Sequence, residues 1–249
     1  MKYSNLSNTL IDTEVNRTSD LVEVKTRKVV FTGNENHHIS LEDAARLTQR
    51  FRDSVPADAI KGGYFGRVIF ENILAQKGCV GIRAYSARLE NERQTFVLVG
   101  VISNGNDLWQ GILGEQAVPC PPYCGEFNPL NSSEADRSKK INRKAFLLTG
   151  QENHFETLAQ ASVFTRNDRN ANNHDAIKGW YFGKSILESI LAQNGCVGIR
   201  FYFAANDNRT LTLVLVGVRS DGNDIFEGFL GEQAMPCPPY CGEMNPLNS

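Results

Sequence analysis

The residues whose types and spacing could do chemistry fall into two matched sets. Cys79, Cys120 and Cys124 accompany His37, and Cys196, Cys237 and Cys241 accompany His154. In each set the last two cysteines enclose a Cys-Pro-Pro-Tyr-Cys run. Two thiolates this close in a turn can converge on a metal, and zinc takes Cys and His ligands tetrahedrally. Cys79 with His37, or Cys196 with His154, would complete four ligands. Against zinc stand the CxxxC spacing, where CxxC is the dominant short form, and the sequence distance to the other two ligands. A disulfide is the second chemistry, most simply between the strand cysteine and one tail cysteine, with one thiol left over. The third reading makes free cysteine a small buried hydrophobe. That reading is the expectation carried forward, with no cofactor and with zinc as the alternative.

Other chemistries find less support. A reactive cysteine needs a base within reach and an electropositive setting. His37 and His154 recur in Gly-Asn-Glu-Asn-His and Gly-Gln-Glu-Asn-His, whereas His38 and His174 have no counterpart. A repeated Asn-His pair suits a turn or cap hydrogen bond better than a catalytic dyad. Arg83 and Tyr85, with Arg200 and Tyr202, share a strand face with the cysteine by alternation. They are expected to meet a carboxylate such as Glu115 or Glu232 in a structural ion pair. Gly179-Trp-Tyr-Phe-Gly183-Lys184-Ser185 ends like a phosphate loop, but it has three residues between glycines where four are needed. The Asn-Gly-Asn-Asp and Asp-Gly-Asn-Asp turns are too short for an EF-hand loop. No catalytic residue is assigned.

The elements that must position these residues occur twice. Residues 33–132 align with 150–249 at a constant offset of 117, with 60 identities and no gap. Matching is uneven. Residues 111–132 keep 19 of 22 positions and residues 39–57 keep only 4 of 19. A repeat of this size is domain-sized rather than a solenoid unit. The expectation is a tandem duplication of one small α+β domain, each closed on itself, with a mainly antiparallel sheet covered by one or two helices. The boundaries are a polar arm at 1–26, domains at 27–132 and 143–249, and a charged linker at 133–142.

Each copy opens with a short apolar strand, Val29–Phe31 or Ala145–Leu148. A helix follows behind Ser40, with Ser40 and Asp43 as a capping signal; its counterpart is poorer in the second copy. Next come a Gly-rich turn at 61–66 or 178–183 and a helix over 67–76 or 184–193. The strand CVGIRAYS or CVGIRFYF then pairs with a valine-rich run, 95–102 or 212–219, apolar on both faces as in a covered central strand. The Pro-rich tail builds no regular element. Its close matching suggests an ordered strap over the sheet or over a neighbouring domain, or a ligand for an aromatic groove.

Composition bounds the function. The 249 residues carry a net charge of -2 and 22% charged residues, without a basic surplus for nucleic acid or anionic membranes. No apolar run reaches the length of a membrane span, and no secretory signal is seen, so membrane insertion is not expected and the cytoplasm is. The function expected is a non-enzymatic structural or self-assembling protein. Its partner is another copy of itself, reached through the N-terminal arm adding a strand to an exposed sheet edge. The alternative is a cysteine-based metal or redox module with one site per repeat.

Overall fold

A computed structural model describes residues 30–132, 146–172 and 176–249. The arm at 1–26, the linker at 133–142 and His174 lie outside the described residues. The class is α+β, with two antiparallel sheets and four helices among the described residues. The order in the first half is α1 (Leu41–Ser54), β1 (Gly62–Gly66), α2 (Arg67–Leu74), β2 (Cys79–Arg88), β3 (Gln94–Ile102), β4 (Leu113–Gly114) and β5 (Val118–Cys120). The second half adds β6 (Phe155–Glu156), α3 (Leu158–Ala171), β7 (Gly179–Gly183), α4 (Lys184–Leu191), β8 (Cys196–Ala205), β9 (Leu211–Arg219), β10 (Leu230–Gly231) and β11 (Met235–Cys237).

Local chemistry accounts for most of these elements. Ser40 caps α1 by accepting from the Asp43 N–H at 3.1 Å, and Thr157 caps α3 through the Gln160 N–H at 3.3 Å. Despite its weaker pattern, α3 has the same 14 residues as α1. The valine-rich runs become β3 and β9, each between two neighbours and buried along nearly its whole length. The described residues of the opening segments, 30–31 and 146–148, form no regular strand. Phe31 and Leu148 each donate one backbone N–H, to Ser103 O and Ser220 O at 2.8 Å.

The expectation that each copy closes on itself is corrected by the strand pairing. One sheet runs β10-β9-β8-β1-β5 and the other β11-β7-β2-β3-β4-β6. In each, a hairpin and short strand of one half are extended by two strands of the other, and in the second sheet β6 adds a third beyond β4. β1 lies antiparallel to β8 and β7 lies antiparallel to β2. The Gly-rich segments expected as turns are therefore strands at the seam. Their glycines admit a close backbone from the other half. A Cβ on Gly66 would sit 2.8 Å from Gly150 O.

The layers follow. Ile82, Ala84, Phe96 and Leu98 of one sheet share a core with Ile199, Phe201, Phe203 and Leu215 of the other, joined by α2 and α4. α1 covers the outer face of the sheet containing β8, with Ala44 and Leu47 against Tyr202, Ala204, Val214 and Val216. α3 covers the other outer face, with Ala161 and Phe164 against Tyr85, Val97 and Val99. Each outer helix thus packs on the other half's hairpin.

Candidate functional site: the reciprocal buried seam

A β-bulge decides where the strand cysteine points. Simple alternation puts Cys196 on the face of Arg200. The register slips between Cys196 and Gly198, and likewise between Cys79 and Gly81. Cys79 and Cys196 therefore enter the core between the sheets. Each thiol donates to a carbonyl two residues on, Gly81 O or Gly198 O, at 3.2 Å. Burial pushes both thiols up from 9.0, the reverse of what a nucleophile needs.

The tail cysteines pair with each other. Cys120–Cys124 and Cys237–Cys241 are disulfides, with Cα atoms 4.8 and 4.7 Å apart. The expected bridge from strand to tail is corrected, and so are free thiols for these four. Cys120 and Cys124 sit in the cluster under α1, on the second half's sheet, while Cys79 lies in the central core. The set Cys79, Cys120 and Cys124 is not brought together, nor is Cys196 with Cys237 and Cys241. Among the described residues, no three His, Cys, Asp or Glu side chains gather to hold a metal.

His37 and His154 bond to backbone groups rather than to cysteine. His37 Nδ1 faces Gln233 O at 3.0 Å, and its Nε2 accepts the Gly183 N–H at 3.0 Å. A carbonyl on one nitrogen and an amide on the other fix a neutral ring protonated at Nδ1. No lone pair is left for zinc. His154 Nδ1 faces Gln116 O at 3.0 Å. Gln116 and Gln233 hold φ of 63° and 56°, which turns these carbonyls onto the rings. Each histidine closes a loop that begins at Gly33 or Gly150, where φ is +82° or +80° and a Cβ would meet the Val80 or Val197 carbonyl, in the bulge of its own half. Within those loops Glu35 accepts from the Thr32 N–H at 2.6 Å and the Tyr181 hydroxyl at 3.1 Å. Glu152 accepts from Thr149 N–H at 2.6 Å and the Tyr64 hydroxyl at 3.2 Å. Burial raises both carboxyls, but the N–H and hydroxyl donors outweigh it and hold them below 4.5.

The arginines find an aspartate from the turn rather than Glu115 or Glu232. Arg83 pairs with Asp107, and Arg200 with Asp224, all with fully buried side chains. The Tyr85 hydroxyl donates to Asp107 at 2.7 Å, and Tyr202 to Asp224 at 2.7 Å. The other half's tail completes each pair. Tyr240 O accepts from Arg83 at 2.9 Å, and Asn245 Nδ2 donates to Asp107 at 2.9 Å. Tyr123 O and Asn128 Nδ2 serve Arg200 and Asp224 at 3.3 and 2.8 Å. The closely matched tail is thus a strap over the opposite hairpin. Glu115 and Glu232 instead accept from Thr95 and Thr212 at 2.6 and 2.8 Å, and burial raises both above 4.5. The missed members, Asp107 and Asp224, carried one sequence signal: each follows its arginine by 24 residues.

Burial also sets a pH response. It lowers His37 and His154 below the ordinary 6.5, outweighing the nearby carbonyls and Glu35 or Glu152; His38 adds to the lowering at His37. A lowered histidine contributes stability above 6.5 and loses it as pH falls, because the unfolded chain takes the proton first. Each ring then costs at most about 1.4 kcal/mol per pH unit. The raised Glu115 and Glu232 act in the opposite sense above pH 4.5, so the histidine effect between pH 7.5 and 5.5 is read against a variant that lacks the rings and keeps the glutamates. The melting temperature should fall across that range, and a His37→Gln/His154→Gln protein should show a flatter profile. An equally steep profile in that variant would assign the response elsewhere.

No protein-family model matches the chain, and no curated protein or solved structure shows significant similarity to it.

Proposed function

We propose that this is a non-enzymatic structural protein that presents two matched faces and assembles with copies of itself through residues 1–26. One observation carries the reading: the groups best suited to chemistry are spent on joining the halves. The opposite tail's bonds to the buried Arg–Asp pairs, the backbone contacts of His37 and His154, and the two Glu–Tyr contacts all bind one half to the other. Such a body is joined along its whole seam and repeats its sheet and strap framework, which suits a ring or a head-to-tail array. No helix among the described residues is long and apolar enough to cross a membrane. The disulfides Cys120–Cys124 and Cys237–Cys241 favour an oxidising compartment over the cytoplasm. They are also what supports a second reading, a thiol–disulfide module with one pair in each tail.

Particle size tests the structural reading. Light scattering on the full chain should give particles larger than one 27.7 kDa chain, and removing residues 1–26 should shrink them. A full chain that stays monomeric when concentrated, or a deletion that leaves the assembly unchanged, defeats the proposal.

A further inference from the structure

The cross-half polar contacts around the histidines, the Glu–Tyr contacts and the straps use residues identical at positions 117 apart, among them Gly33, Glu35, His37, Tyr64, Gly66, Arg83, Tyr85, Asp107 and Asn128. These contacts alone would let a first half pair with another first half as readily as with a second half. The apolar seam does not. In the register of β7 on β2, Trp180 lies opposite Ala84. In the matching register of β1 on β8, Gly63 lies opposite Phe201. Each pair sets a large side chain against a small one, and the large one always comes from the second half. Trp180, Ala84 and Phe201 all lie in the shared core, and the Trp180 indole N–H reaches Leu211 O at 3.2 Å. The opening at Gly63 is tight, for a Cβ there would meet the Ala117 Cβ at 2.7 Å.

The outer helices repeat the asymmetry. Phe51 of α1 stacks on Phe203 of β8 with ring centroids 5.2 Å apart. The positions 117 away are Asp168 on α3 and Ser86 on β2. Asp168 is buried there, and its Oδ1 lies 3.7 Å from Arg88 Nη2.

Like pairs would therefore fit badly. Two first halves would set Gly63 opposite Ala84 and leave a void. Two second halves would force Trp180 against Phe201 and bring the Asp168 carboxylate to Phe203. A void and an overpacked core both cost stability, and a buried carboxylate on a ring costs more. Discrimination of this kind is built from misfits as much as from fits.

We propose that the seam is a size code for unlike halves, and that the partner it fits in trans is the complementary half of a second copy of this chain. The proposal deepens the structural reading above by naming a contact, and its test keeps residues 1–26 in place, so that failure of the arm and failure of the seam are read separately. Two full-length variants carry it. Ala84→Phe places a phenyl ring against Trp180, and Trp180→Gly leaves Ala84 facing a void. Each alone should melt about 10 °C below the parent. The cis double variant Ala84→Phe/Trp180→Gly should recover most of that loss, which also shows that the altered seam can fold. Unfolded, mixed and refolded together, the two single variants can place phenylalanine against glycine and alanine against tryptophan by exchanging halves. Size-exclusion chromatography and native mass spectrometry should then find a mixed dimer of two chains that is absent when the same two variants are mixed without unfolding, the control for contacts made through residues 1–26. A double variant no more stable than the singles overturns the proposal. So does a rescued double variant whose single-variant mixture contains no mixed dimer.

Discussion

Asp107→Ala should lower the unfolding free energy by about 3–5 kcal/mol, because it strands the Arg83 charge in a fully buried site. The loss would spread, since Asp107 also accepts from Tyr85 and Asn245. Asn245 belongs to the second half's tail, so the strap should loosen along with the pair. The second expectation separates charge from packing. Replacing both members with apolar residues, as in Arg83→Met/Asp107→Leu, should cost clearly less than the sum of the single changes. Denaturant unfolding of the three variants measures this. A Asp107→Ala protein within about 1 kcal/mol of the parent would mean that the pair contributes little. The twin substitution Asp224→Ala offers an internal repeat of the measurement, because Arg200 has the same burial and the same kinds of partner.

Val99→Asp should destabilise by about 4 kcal/mol or more. Val99 is fully buried between β3 and α3, in the cluster that holds Leu113 and Ala161. It lies directly opposite Arg83 in the β2–β3 register. That arginine does not rescue the new carboxylate, because Asp107 already neutralises it and a second aspartate would leave a net negative charge in the core. If Asp107 is removed as well, the aspartate at 99 has a free cation beside it. The double variant Val99→Asp/Asp107→Ala should therefore be more stable than the two single losses predict. A melting temperature for Val99→Asp equal to the parent's would contradict the placement of β3.

Much of the local structure was legible. Helical spacing behind Ser40, the hairpin of β2 with β3 and the covered valine-rich runs all follow from short-range chemistry. What escaped reading was the exchange between halves. Gly62, Gly63 and Gly66 look like turn residues, since glycine is the common turn former. Here they are strand residues; another backbone passes close by Gly62 and Gly66, and the Ala117 side chain by Gly63. Nothing in a repeat's own sequence distinguishes pairing within a copy from the same pairing across copies. The cysteines were misplaced for a different reason. Alternation gives the wrong face for Cys79 and Cys196 because one bulge shifts everything before it. The Arg–carboxylate pairing was anticipated with the wrong acid. Glu115 and Glu232 stand near the strap in sequence, whereas Asp107 and Asp224 look like ordinary turn residues until the turn folds back over the arginine.

The exchanged topology bears on synthesis at the ribosome. When residues up to 132 have emerged, β2 still lacks β7, and the outer face of β3 still lacks α3. The nascent chain then exposes a bare sheet edge and an apolar surface carrying Val97 and Val99, the kind of surface that aggregates or engages a chaperone. Its own tail has no hairpin to cover, because the one it straps belongs to β8 and β9, which are translated later. Protection of the first half thus waits on the second half's tail, for Tyr240 and Asn245 close over Arg83 and Asp107 only after more than a hundred further residues have been added.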